Sequence, residues 1–201
     1  MKLRNIYFSI AIGIIFTSCK ETVKKENTNE TVDEVEETIN EVDDVTEVES
    51  EAKTIEIQLT PKSESDVTGT VSFTEKDGMV TMSANLTGLA EGTHAIHLHE
   101  KADCSSPDGK SSGGHWNPTK QPHGKWGSQE GYHKGDIGNF KADASGAGSI
   151  TFATNEWCIG CDDDNENILG KAIIVHQGTD DYTSQPSGAA GSRVSCGGVI
   201  Q

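Results

Sequence analysis

"MVTMSANL", residues 79–86, alternates Val80, Met82, Ala84 and Leu86 with Thr81, Ser83 and Asn85. In an extended chain this order puts the apolar side chains on one face and the polar ones on the other, a period of two that a helix cannot satisfy. Working outward, "TIEIQLT" (54–60) repeats the pattern with Ile55, Ile57 and Leu59, and "GTVSFT" (69–74), "HAIHLHE" (94–100), "GSITFAT" (148–154), "KAIIVHQ" (171–177) and "SRVSCGGVI" (192–200) are further short runs. "KDG", "LTGL" and "DASGAG" punctuate them with turn residues. From residue 53 on, no long stretch has helical spacing. The expectation is an all-β domain, an antiparallel sandwich or barrel. Two segments break the rhythm: residues 100–134, and the Gly- and Ser-rich residues 178–192. Loops of that length inside a compact domain are usually functional or mis-assigned, and the histidines of the first favour function.

Upstream the composition changes twice. Lys2 and Arg4 precede an apolar run from Ile6 to Phe16 that ends in Thr17-Ser18-Cys19. The run is too short to span a bilayer and reads as a signal peptide over residues 1–19. "FTSC" also resembles the cleavage box of bacterial lipoproteins, in which the cysteine becomes the lipidated first residue, although Phe16 stands where Leu is more usual. Residues 20–52 hold 13 acidic and 3 basic residues with no Gly, Pro or aromatic. Such a stretch buries too little to order itself and reads as a solvated acidic tether. Val32, Val35, Ile39, Val42, Val45 and Val48 form a weak helical stripe, but β-branching and like charge oppose a lone helix. The expected product is an exported protein held to a membrane by lipid at Cys19, periplasmic or on the cell surface.

Charge narrows the partners. Of the formal −16, the tether carries −10 and residues 53–201 carry −8, with +2 in the leader. An acidic domain argues against nucleic-acid binding. Export favours disulfides, and with Cys19 set aside the four remaining cysteines can pair in three ways. Cys158 and Cys161 form a CxxC, better read in an exported β-protein as a local structural clip than as a redox motif.

Histidine carries the chemistry. His97 and His99, two apart on a strand, project to one face, and His94 points to the other. A lone strand histidine is usually just half-buried, but two imidazoles on one face make half of a metal site. "GGHWNP", "QPHGKW" and "GYHKGDIGN" add His115, His123, His133 and Asp136 from the long loop, and "IIVHQ" adds His176 from a strand. Imidazole suits zinc and copper, and three histidines with an aspartate suit tetrahedral zinc. The residues alone indicate one or two transition-metal ions without thiolate ligands.

These motifs as a set resemble the copper–zinc superoxide dismutases, from about residue 53 to the C-terminus. The resemblance implies an eight-stranded antiparallel Greek-key β-barrel or sandwich with two long functional loops, copper and zinc as cofactors, and superoxide as substrate. It implies His97, His99, His115 and His176 as copper ligands and His115, His123, His133 and Asp136 as zinc ligands. His115 would be shared between the metals and catalytic in proton transfer. Arg193 would be the arginine beside the open copper face, and Asp180 an outer carboxylate linking a ligand of each metal. His94 would be a structural, non-ligand histidine, and Cys104 and Cys196 the family disulfide. The loop before Arg193 lacks lysine and looks shorter than in the eukaryotic enzymes, and the CxxC and acidic tether lie outside the family pattern. No dimer signature is legible, so a homodimer is left open. The alternative function is an exported copper-binding or buffering protein of the same fold without catalysis.

Overall fold

The computed structural model describes residues 51–201. The leader, Cys19 and the tether up to residue 50 lie outside the described residues. Eight strands close into an antiparallel barrel: β1 (Lys53–Pro61), β2 (Thr68–Lys76), β3 (Met79–Thr87), β4 (Gly92–His99), β5 (Gly138–Ala142), β6 (Gly148–Thr154), β7 (Ala172–His176) and β8 (Arg193–Gly198). The order around the barrel is β1-β2-β3-β6-β5-β4-β7-β8, with β8 returning to pair with β1. The β3–β4 and β6–β7 connections therefore jump past neighbouring strands, which is the Greek-key feature. Among the described residues there is no α-helix, and the one short 3₁₀ turn is Lys110–Ser112. No helix there is long and apolar enough to cross a membrane.

The alternation seen in the sequence becomes the inside and outside of the barrel. Val80, Met82, Ala84 and Leu86 are buried and face Val71, Phe73, Ile96 and Leu98 in one core. Each large side chain fully buried there contributes roughly 1.5–3 kcal/mol. β4 and β7 depart from the pattern, because His94 to His99 and all of β7 are buried on both faces. Ile96, Leu98, Ile173 and Val175 fill the barrel interior, while Ala172 and Ile174 pack with Cys196 and Cys104 on the outer face. That second face is covered by the two long loops, so the barrel wall between β4, β7 and β8 is where a site can be enclosed.

Seven strands correspond to the runs read above. The eighth, β5, was not among those runs: its five residues start at a glycine and continue directly from the histidine-bearing loop. Cys104 and Cys196 are bonded across 92 residues, with Cα atoms 5.8 Å apart, tying the first loop to β8. Cys158 and Cys161 are bonded to each other within the β6–β7 connection.

Candidate metal centre

His97 and His99 leave β4 on its outer face, and His176 ends β7 beside them. A register shift at Val175/His176 sets His176 opposite Arg193 rather than Val194. Such bulges commonly re-aim side chains beside functional sites. His115 approaches by an isolated bridge to His99. The turn 133–136 is drawn against the same strand, where Gly135 donates its N–H to the Trp116 carbonyl at 2.9 Å and accepts from Leu98 N at 2.9 Å. A Cβ at Gly135 would collide with the Leu98 carbonyl and lie 2.9 Å from Trp116 N, so the turn needs glycine to pass this close.

Two sets of four side chains result: His97, His99, His115 and His176, and His115, His123, His133 and Asp136. Within each set the donor atoms all lie within 4.8 Å of one another, and all seven residues are buried. His115 belongs to both, with ring centroids 4.0 Å from His97 and 5.7 Å from His133.

Four of the imidazoles are oriented through one nitrogen. His97 Nε2–H donates to Asp180 Oδ2 at 2.9 Å, and His123 Nε2–H to Asp180 Oδ1 at 2.9 Å. His99 Nδ1–H donates to the Gly113 carbonyl at 3.0 Å, and His176 Nδ1–H more weakly to that of Gly191 at 3.4 Å. Six ring nitrogens, four of them opposite these contacts, have no hydrogen-bond partner: His97 Nδ1, His99 Nε2, His115 Nε2, His123 Nδ1, His133 Nδ1 and His176 Nε2. A buried polar atom left unpaired costs about 1–3 kcal/mol, so six converging ring nitrogens fit a role as metal donors. Rings held through one nitrogen with the other aimed inward are what metal-binding histidines require.

The second set discriminates further. Asp136 Oδ2 accepts backbone N–H groups from Gly124 at 3.1 Å and His133 at 2.8 Å. Its Oδ1 is left facing Nδ1 of His115, His123 and His133 at 2.8, 3.1 and 3.2 Å. Of these three contacts only the first has hydrogen-bond geometry; His123 and His133 point past the oxygen toward a common centre. A tetrahedron of ligands about 2.0 Å from zinc has edges of about 3.3 Å, close to these separations. The residues fit zinc there, and the four-imidazole set, without oxygen or sulfur, fits copper.

Electrostatics separate the sets. Burial, with the neighbouring rings and Arg193 acting the same way, pushes His99 and His176 well below the ordinary imidazole value. Burial also lowers His97 against the pull of Asp180, and takes His115 down to about 4 against the pull of Asp136. These four rings are neutral at neutral pH, the state in which a metal takes them. Burial would lower His123 as well, but the Asp136 and Asp180 carboxylates at its two nitrogens raise it to about 9. Burial works against both carboxylates, yet their imidazole contacts hold Asp136 and Asp180 far below the usual range.

Every candidate site residue among the described residues has a defined place. His94 stands apart from both sets, its Nδ1 3.0 Å from the His176 carbonyl and its Nε2 2.8 Å from that of Ala90, where it joins β4 to the end of β7. Arg193 Nη1 donates to the Gly109 carbonyl at 2.9 Å and to Ser112 Oγ at 3.0 Å. Sequence reasoning missed several supports. Asn139 exchanges two 2.8 Å hydrogen bonds with the Asp180 backbone. Gln185 does the same with His123, stitching the second loop to the first. Gly188, with φ +65°, lets the backbone pass where a Cβ would strike Asp180 and His123. Lys62, on the β1–β2 connection, donates to the Cys104 carbonyl at 2.6 Å. Only the glycines gave a sequence signal, as breaks in a loop; amides in loops look alike until the loops close.

Comparison with known proteins agrees with this geometry. Residues 67–200 match the family model described as copper/zinc superoxide dismutase (SODC). The chain is 32% identical over 140 residues to an extracellular superoxide dismutase [Cu-Zn] of Caenorhabditis elegans, covering 67% of this chain and 61% of that protein. It is 34% identical over 139 residues to superoxide dismutase [Cu-Zn] 2 of Aquifex aeolicus (strain VF5), covering 67% of this chain and 80% of that one. The chain thus spans less than two thirds of the worm protein's length. Among solved structures it superposes on a SOD-like protein from Bacillus subtilis with a TM-score of 0.64 at 29% identity, over 72% of this chain and 97% of that one.

Proposed function

This chain belongs to the copper/zinc superoxide dismutase family, whose metals are copper and zinc, and on that premise we propose that it converts two superoxide ions and two protons into oxygen and hydrogen peroxide. The observation that carries the reading is the pair of buried four-residue sets joined at His115, with six ring nitrogens left unpaired. His97, His99, His115 and His176 would hold copper, and His115, His123, His133 and Asp136 would hold zinc. Copper, when bound, supplies one-electron redox chemistry, and zinc supplies charge and structure without it.

The chain's own residues do the rest. His115 can hold or release a proton at Nε2, the atom that faces the first set, while Nδ1 faces Asp136. Asp180 fixes one ring from each set through its two oxygens, so neither can turn without disturbing the other. Arg193, pinned by Gly109 and Ser112, places a cation beside His99 and His176 where an anionic substrate can dock. Export fits the basic-then-apolar leader, and the relative called extracellular is in keeping with it. On this reading residues 1–19 are the signal peptide with Cys19 lipidated at its end, residues 20–52 are the tether, and residues 53–201 are the catalytic domain.

Metal analysis of the purified chain with a steady-state superoxide assay, before and after copper depletion, tests the proposal. Dismutation that is lost with copper and regained on its return is expected. A chain that takes up copper at the first set and never accelerates superoxide decay would be a copper buffer instead.

A further inference from the structure

The turn that carries His133 and Asp136 is held on two sides, and only one of them is β4. On the other, the start of the β6–β7 connection reaches in with two adjacent residues. The Glu156 carboxylate accepts the Tyr132 hydroxyl at 2.7 Å on Oε1 and the Lys134 ammonium on Oε2. Trp157 Nε1–H donates to the Lys134 carbonyl at 2.9 Å. Tyr132 and Lys134 are the two neighbours of His133 in the chain, so these three contacts bracket one proposed zinc ligand and end two residues short of the next.

We infer that Glu156 and Trp157 are positioning residues for the His133–Asp136 turn, a clamp that sets zinc affinity from outside the ligand shell. The inference rests on the zinc assignment proposed above. The clamp has a firm base. Trp157 is 2% exposed and packs against Phe152 at 5.1 Å, Trp126 at 5.9 Å and Phe73 at 6.3 Å between ring centroids, so its indole N–H is fixed by the core. Glu156 N donates to Thr154 Oγ1 at 3.0 Å at the end of β6. Cys158, next in sequence, is tied to Cys161 by the disulfide and exchanges backbone hydrogen bonds with Glu166 at 2.8 Å and Ile168 at 3.1 Å. With Gly135 against β4 and Lys134 against this base, His133 Nδ1 is kept 3.2 Å from Asp136 Oδ1 and directed at the centre the two share. Partners hydrogen-bonded directly to a ligand typically change metal affinity 10- to 100-fold when removed; these contacts act one residue further out, so the low end of that range is expected.

The test is zinc affinity of the full chain by chelator competition, with the visible spectrum of cobalt(II) in the same set as a second readout. Trp157→Phe removes the indole N–H with little loss of ring volume, and Tyr132→Phe removes one hydroxyl. Glu156→Ala removes both contacts to the carboxylate, and Glu156→Gln keeps an acceptor for Tyr132. Trp157→Phe and Glu156→Ala should each weaken zinc about tenfold and alter the cobalt bands. Tyr132→Phe should have a smaller effect, and Glu156→Gln should recover part of the loss. A purely structural role would lower the melting temperature of the metal-free variants and leave zinc affinity unmoved. Unchanged affinity and unchanged cobalt bands in both Trp157→Phe and Glu156→Ala, in a parent that binds zinc, would overturn the clamp alone. A parent that binds no zinc would overturn the clamp and the zinc assignment together.

Discussion

At the scale of single residues, the two sets can be emptied separately. His176 belongs only to the four-imidazole set and Asp136 only to the other. His176→Ala should abolish dismutation while zinc stays bound, whereas Asp136→Ala should release zinc and loosen the first loop, since Asp136 also accepts from Gly124 and His133. Metal stoichiometry and superoxide decay on both variants check this; parent-rate dismutation by His176→Ala would refute the assignment. Arg193 gives a third handle. Arg193→Ala should lower the bimolecular rate about tenfold or more, equivalent to at least about 1.4 kcal/mol. Lys120→Ala and Lys125→Ala, at exposed lysines of the first loop, should each do little, as measured by stopped-flow or pulse radiolysis across a salt series. The residues of the two sets were legible because imidazoles are scarce and their chemistry narrow. Asn139 and Gln185 were not, because an amide's role depends on which backbone it meets once two distant loops are closed.

At the scale of elements, the glycines that let loops approach strands are as specific as the ligands. Gly135→Ala forces a methyl into the Leu98 carbonyl, so it should cost about 2 kcal/mol or more and impair zinc binding. Gly114→Ala, in the same loop with its nearest neighbour 3.9 Å away, should be nearly silent. Calorimetric melting and zinc titration of the two variants make the comparison, and equal effects would remove the packing argument. Strand periods were readable wherever one face is wet, as in β3. β5 escaped because five residues following a loop glycine offer too short an alternation to stand out. β4 and β7, buried on both faces, showed themselves as strands by their apolar and β-branched content; the His97/His99 spacing also marked the site face of β4, whereas β7, with His176 alone, offered no such pair.

At the scale of the whole molecule, local periods could not say whether the sheet closes, and the sandwich and the barrel stayed equivalent until β8 was seen to pair with β1. The β7–β8 pairing sets Arg193 of the last strand opposite His176, and closure ties that strand back to β1. The Cys104–Cys196 link reinforces that arrangement across 92 residues, and chain-entropy reasoning assigns a loop so large roughly 4–5 kcal/mol. Replacing both cysteines by serine should lower the melting temperature more than the same change at Cys158 and Cys161, which close a loop across only 3 residues. Residues 53–201 carry −8, so an anion must be drawn in by charge at the site itself, exposed charges beyond roughly 8 Å being screened at physiological ionic strength. The most direct test of the account is superoxide decay followed by pulse radiolysis while copper is titrated into the zinc-loaded chain. Catalysis should rise in proportion to added copper and stop rising at one copper per chain. Copper bound to that ratio at the first set, with superoxide decaying no faster than it does spontaneously, would contradict it.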